Sequence, residues 1–147
     1  MIITIDPGTN GTGYAIWDKE WKLVAWGVLR SKKKEWEEKM EEISFKLRTK
    51  VKSYNLSKGY IEEPAKFQGT FGTMVANRGD LVKLSIFVGY IKGYIRIPVE
   101  SVPVISWKGQ LPKEVVIQRI KRLLPKVNAE DHSWDAIGIG LYLKGVF

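Results

Sequence analysis

The chain has 147 residues, with 24 Lys and Arg against 16 Asp and Glu for a formal net charge of +8, and is long enough for one domain burying roughly two thirds of its unfolded surface. Cysteine is absent and His132 is the single histidine, which excludes disulfides, thiolate metal sites and cysteine nucleophiles. The positive excess favours a polyanionic partner, since each phosphate neutralised by a cation releases bound counterions; with no signal peptide and no apolar run near about 18 residues, a soluble cytoplasmic protein with no membrane partner is expected.

Ile2-Ile3-Thr4-Ile5 predicts a strand ending on Asp6, and Gly8, Gly11 and Gly13 make a tight return into a second apolar strand through Trp17. Asp18-Lys19-Glu20-Trp21-Lys22 reads as a hairpin turn into a third strand, Leu23 to Arg30, which completes an antiparallel meander. From Lys34 onward, Trp36, Met40, Ile43, Leu47, Val51 and Tyr54 recur at helical steps, with Glu37, Glu38, Glu41, Glu42, Lys46 and Lys50 on the solvated face. Tyr60-Ile61-Glu62-Glu63-Pro64 predicts a short buried strand. Adjacent strand residues point to opposite faces, so only one of Glu62 and Glu63 looks toward Asp6. The stretch Ala65 to Asp80, with Gly69, Gly72 and Gly79, has the composition of a mobile loop or frayed helix start; it carries Lys66, Phe67, Phe71 and Arg78.

Leu81, Leu84, Val88, Ile91 and Ile95 then form a narrow helical seam. Gly89 and Gly93 lie one turn apart in it, and each weakens a helix unless another backbone comes close, so the seam either packs on the domain's own sheet or serves self-association. Glu100 to Ile105 is a candidate strand, and Ser106 to Gln110 a loop. Pro112 opens a helix that Pro125 closes. Asn128-Ala129-Glu130-Asp131 leads into a last helix, rich in small apolar residues, on which His132 and Asp135 share one face. The order β-β-β-α-β-α-β-α-α predicts a single α/β domain over 1–147, a mixed five-stranded sheet, first three strands antiparallel, with helices on both faces; with a carboxylate ending strands one and four and a polar pair opening the last helix, it resembles the ribonuclease H-like fold.

Metal-assisted phosphodiester hydrolysis needs several hard oxygen ligands around two divalent ions. Asp6, Glu62, Asp135 and His132 fit that need, with Asp6 the natural bridging ligand and His132 either a nitrogen ligand or a base. Glu130 and Asp131 read as helix-opening acids favoured by the dipole. Two Mg²⁺ per site are expected, with Mn²⁺ able to substitute.

Ile5-Asp6-Pro7-Gly8 with Gly13-Tyr14, then Ile61-Glu62-Glu63, then His132-Ser133-Trp134-Asp135-Ala136, resemble the three acidic motifs of RuvC-type Holliday junction resolvases over nearly the whole chain. An Asp-x-Gly-Thr turn also occurs in actin-like ATPases, but this length leaves no room for their two lobes. The resemblance assigns Asp6, Glu62, His132 and Asp135 to the metal ions; many members carry an aspartate where His132 stands, so its role as ligand or base stays open. It matches Lys108 and Lys113 to two lysines that contact the scissile region, with Lys113 the better candidate for stabilising charge on the phosphate. Phe67 or Phe71 corresponds to an aromatic that wedges into the junction centre, and Lys66 and Arg78 are further expected DNA contacts. The family's dimer helix corresponds to Leu81 through Ile95, with Leu81, Leu84, Val88, Gly89 and Ile91 at the interface. The resemblance thus implies a homodimeric, Mg²⁺-dependent crossover junction endodeoxyribonuclease, bacterial or phage-encoded, whose two-fold symmetry produces paired nicks in a four-way junction. A nuclease acting on flaps or structured RNA, and a branched-DNA-binding module without catalysis, are the competing readings.

Overall fold

A computed structural model describes residues 1–64 and 71–147, with the side chains of 71–78 left aside. Its elements are β1 (Ile2–Asp6), β2 (Thr12–Trp17), β3 (Leu23–Leu29), α1 (Trp36–Ser53), β4 (Lys58–Glu63), α2 (Phe71–Tyr94), β5 (Val99–Pro103), α3 (Val104–Trp107), α4 (Lys113–Leu123) and α5 (Asp131–Leu143). One five-stranded sheet has the order β3-β2-β1-β4-β5. β2 is antiparallel to both β1 and β3, whereas β4 is parallel to β1 and β5. Every strand but β2 therefore runs the same way, and the segments after β1, β3, β4 and β5 leave the sheet at one edge.

Period-two alternation sorts β1 between two cores. Ile3 and Ile5 turn to the face covered by α1 and α2, where they meet Ile43, Leu47, Phe87 and Ile91, all without solvent exposure. Each such side chain contributes roughly 1.5–3 kcal/mol by leaving water. Thr4 and Asp6 turn the other way, under α5. There the Thr4 hydroxyl donates to the Ala136 carbonyl at 2.7 Å and accepts from Trp17 Nε1 at 2.9 Å, so a buried polar pair is fully used. α5 lies unusually close to this face. A β-carbon on Gly13 would overlap the backbone of His132, and one on Gly140 would overlap the Trp17 ring.

Three predicted boundaries change. The helix after β4 begins at Phe71, so of the two readings of the stretch up to Asp80, loop or helix start, residues 71–80 follow the second and belong to α2. α1 starts at Trp36, two residues after Lys34. β5 covers Val99–Pro103, and the expected strand end, Val104 and Ile105, joins Ser106 and Trp107 of the expected loop in the short helix α3; Pro103 has no N–H to extend a ladder and serves as the cap of α3. The expected self-association seam also needs correction. Val88, Ile91 and Ile95 are buried in the domain's own core, and Leu84 packs against it with Leu81 half-buried. Steps of three and four describe an inward-facing stripe as well as a dimer stripe. The outward face of α2 carries Val82 and Ile86, 59% and 49% exposed, with Gly89 and Gly93 in the open. Among the described residues, no helix is long and apolar enough to cross a membrane.

Candidate active site

Asp6 ends β1 and Glu62 lies near the end of β4. The pairing of Ile5 with Ile61 puts them side by side on adjacent parallel strands, on the α5 face. Glu63 turns away and is exposed. His132 and Asp135 come from the first turns of α5, which is framed by its own residues: the Ser133 N–H donates to the Glu130 carbonyl at 2.8 Å and the Glu130 N–H to Ser133 Oγ at 3.0 Å. Arg30, just past β3, holds the Glu130 carboxylate at 3.0 and 3.4 Å and ties this helix start to the sheet.

The side chains then form a connected network. His132 Nδ1 stands 2.7 Å from Asp6 Oδ2, with Nε2 3.6 Å from Asp131 Oδ2. Lys108 Nζ lies between two carboxylates, 3.7 Å from Glu62 Oε2 and 3.5 Å from Asp135 Oδ2. Trp107 Nε1 donates to Glu62 Oε2 at 2.8 Å. Lys113 Nζ sits at the rim, 2.9 Å from Asp131 Oδ1 and 3.9 Å from Asp135 Oδ2.

Burial dominates the electrostatics. Asp6 is only 5% exposed; desolvation raises its pKa and Asp135 adds to the rise, more than the His132 hydrogen bond takes away. Glu62 is pushed up to about 7 by burial and by the charge of Asp6, against the pull of Lys108 and Trp107. The His132 pKa is raised by its bond to Asp6, which outweighs its burial. Burial pulls Lys113 down, but Asp131 and Asp135 together leave it raised. Asp6 and Glu62 are thus both shifted toward their protonated forms, and the Lys108 ammonium lies between Glu62 and Asp135.

That donor set suits a divalent cation. Its oxygens are hard ligands, they repel one another, and the crowding is relieved by positive charge. Among the described residues no three Asp, Glu or His side chains close on one point as they stand, and Lys108 separates two of the acids.

No family model matches the chain. A curated relative does: the crossover junction endodeoxyribonuclease RuvC of Sulfurovum sp. (strain NBC37-1) is 31% identical over 129 residues, 84% of this chain and 80% of that protein. The chain belongs to the RuvC family. Solved structures agree on the fold. Thermus thermophilus RuvC superposes with a TM-score of 0.69 at 16% identity, covering 99% of this chain and 96% of that one. Fowlpox virus resolvase, solved with Holliday junction DNA, does so with a TM-score of 0.52 at 17% identity, over the whole of both chains.

In this chain the residues that resemble the family's acidic motifs, Asp6, Glu62, His132 and Asp135, converge at one sheet edge, with Lys108 and Lys113 beside them. Phe67 and Lys66 lie outside the described residues, as do the side chains of Phe71 and Arg78. Two participants were not singled out from sequence. Trp107, 4% exposed, orients Glu62; the cue is that a buried indole needs an acceptor for its N–H. Asp131 looked like a helix-opening acid, yet it holds Lys113 and faces His132 from a left-handed backbone, φ 33°. No local signal in the sequence marks that conformation, which is uncommon outside glycine and clusters at functional sites.

Proposed function

We propose that this protein is a Mg²⁺-dependent endonuclease that resolves four-way DNA junctions as a homodimer. The observation that carries the reading is the convergence of Asp6, Glu62 and Asp135 around Lys108 in a chain of the RuvC family. Asp6, Glu62 and Asp135 would hold the cations, with His132 beside Asp6. Bound divalent ions supply a water of lowered pKa and neutralise charge at the phosphate.

The chain's own groups do the rest. The 2.7 Å hydrogen bond between His132 Nδ1 and Asp6 Oδ2 holds the imidazole with Nε2 outward, toward Asp131. Trp107 fixes the rotation of the Glu62 carboxylate. Lys113, 42% exposed at the rim, is the cation placed to meet an incoming phosphate, whereas the more enclosed Lys108 balances the acids. The Asp6→Asn variant is expected to bind a mobile four-way junction with wild-type affinity and to lose Mg²⁺-dependent cleavage. Undiminished cutting would reject the site, and binding without products from the wild-type chain in Mg²⁺ or Mn²⁺ would leave a branch-binding module. Comparing junction, flap, duplex and RNA hybrid substrates sets the substrate class.

The homodimer is assigned to the outward face of α2, where Val82, Ile86 and Gly89 are exposed, in place of Val88 and Ile91. Small residues there let a second helix approach. An Ile86→Glu chain is expected to sediment as a folded monomer with unchanged far-UV circular dichroism. A dimer that persists would move the interface elsewhere.

A further inference from the structure

The common direction of β1, β3, β4 and β5 brings a second cationic segment to the edge that holds the site. Asp6, Gly13 and Val28 are partners across β1, β2 and β3. Arg30 therefore emerges two residues beyond that line, about 10 Å to the side of Asp6 at ~4.8 Å per strand. A β-carbon on Gly11, in the glycine turn after Asp6, would meet both Arg30 and His132, at 3.7 Å each. The chain continues from there as Ser31-Lys32-Lys33-Lys34-Glu35 into α1.

Most cations around this edge already have partners. Arg30 is bound to Glu130, Lys46 to Glu42, Lys113 to Asp131, and Lys108 to Glu62 and Asp135. Lys39 Nζ meets Asn10 Oδ1 of the glycine turn at 3.3 Å. Lys32, Lys33 and Lys34 are all exposed, and none of their ammonium groups forms an ion pair among the described residues. Glu37 and Glu38 follow in the first turn of α1, where the helix dipole favours acids.

We propose that Lys32, Lys33 and Lys34 form a phosphate-contact strip that carries the DNA backbone away from the site across the β3 flank, opposite Lys108 and Lys113. The inference rests on the reading of the chain as a DNA endonuclease and adds a contact surface to it. With the strand spacing and the reach of a lysine, the strip lies a few phosphates from the one being cut. Such contacts position the duplex without reading its sequence.

The test is the salt dependence of junction binding by the full chain in the Asp6→Asn background, which keeps the substrate uncut. Lys32→Gln/Lys33→Gln/Lys34→Gln is compared with Lys19→Gln/Lys22→Gln/Lys52→Gln, an equal loss of exposed charge at the opposite end of the sheet. The slope of log Kd against log salt should fall by about two to three in the first variant and by less than about one in the second. Equal changes in the two variants, or no change in the first while the parent binds, would overturn the strip and leave the functional reading standing. A parent that binds neither junction nor duplex overturns both.

Discussion

Metal-free Glu62→Gln protein is expected to melt about 5 °C above the wild-type chain at pH 8 and together with it at pH 4.5. An acid whose pKa is raised on folding binds more protons native than unfolded, so its contribution falls as pH rises. For Glu62 the window runs from 4.5 to about 7, and the full difference is about 3 kcal/mol at 1.36 kcal/mol per unit. Glutamine removes that penalty while still accepting from Trp107. It forgoes some attraction to Lys108, so roughly 2 kcal/mol remains as the net gain. Asp6 and His132 keep a slope in the variant. The raised Asp6 pKa begins to cost stability above 3.8, and the His132 contribution, complete below 6.5, is lost as pH rises through its raised pKa. Excess Mg²⁺ at pH 8 should close the gap by stabilising the wild-type carboxylate. Cleavage by the variant should fall by more than about 100-fold, since a proposed direct ligand is lost. Thermal melts at both pH values, with EDTA or Mg²⁺, decide it. Equal melting of both chains at pH 8 in EDTA would mean that Glu62 is not strained by its surroundings.

Gly13→Ala should lower the melting temperature by about 10 °C, corresponding to about 3 kcal/mol of overpacking. Gly13 is the β2 partner of Asp6, and an added methyl would overlap the carbonyl of His132. Backbone blocks it on one side and the hydrogen-bonded strand on the other, so no flexible side chain can yield. The only relief is to lift the start of α5, which carries His132 away from Asp6. Activity at a temperature where the variant is still folded should therefore drop further than the folded fraction does. An unchanged melt would show that α5 has more clearance than its contacts indicate.

Local pattern carried much of this architecture. The β-branched run before Asp6 and the alternation of Tyr60, Ile61 and Glu62 put both acids on one face of adjacent strands, and the apolar steps of α1 required its burial. The ordered motifs reached the family, because they preserve chain order as well as residue type. What failed to show was tertiary. Val88 and Ile91 read identically whether they face the sheet or a second chain. Pro103 cut a strand that hydrophobicity alone would extend to Ile105. The nearness of Gly13 to His132, the grip of Trp107 on Glu62 and the place of Lys108 between two acids join segments far apart in sequence, and no window along the chain contains both partners.

The placement of α5 also orders events during synthesis. β1 and β4 leave the ribosome well before residues 131–143 exist, so Asp6 and Glu62 are present early but without Asp135 or His132. The same late helix covers Ala15 and Trp17, which stay exposed until it docks. A growing chain therefore lacks the complete candidate site while it is most prone to aggregate, and the docking that ends that hazard also completes the site. With the proposed site, nuclease activity and solubility should appear together as α5 docks.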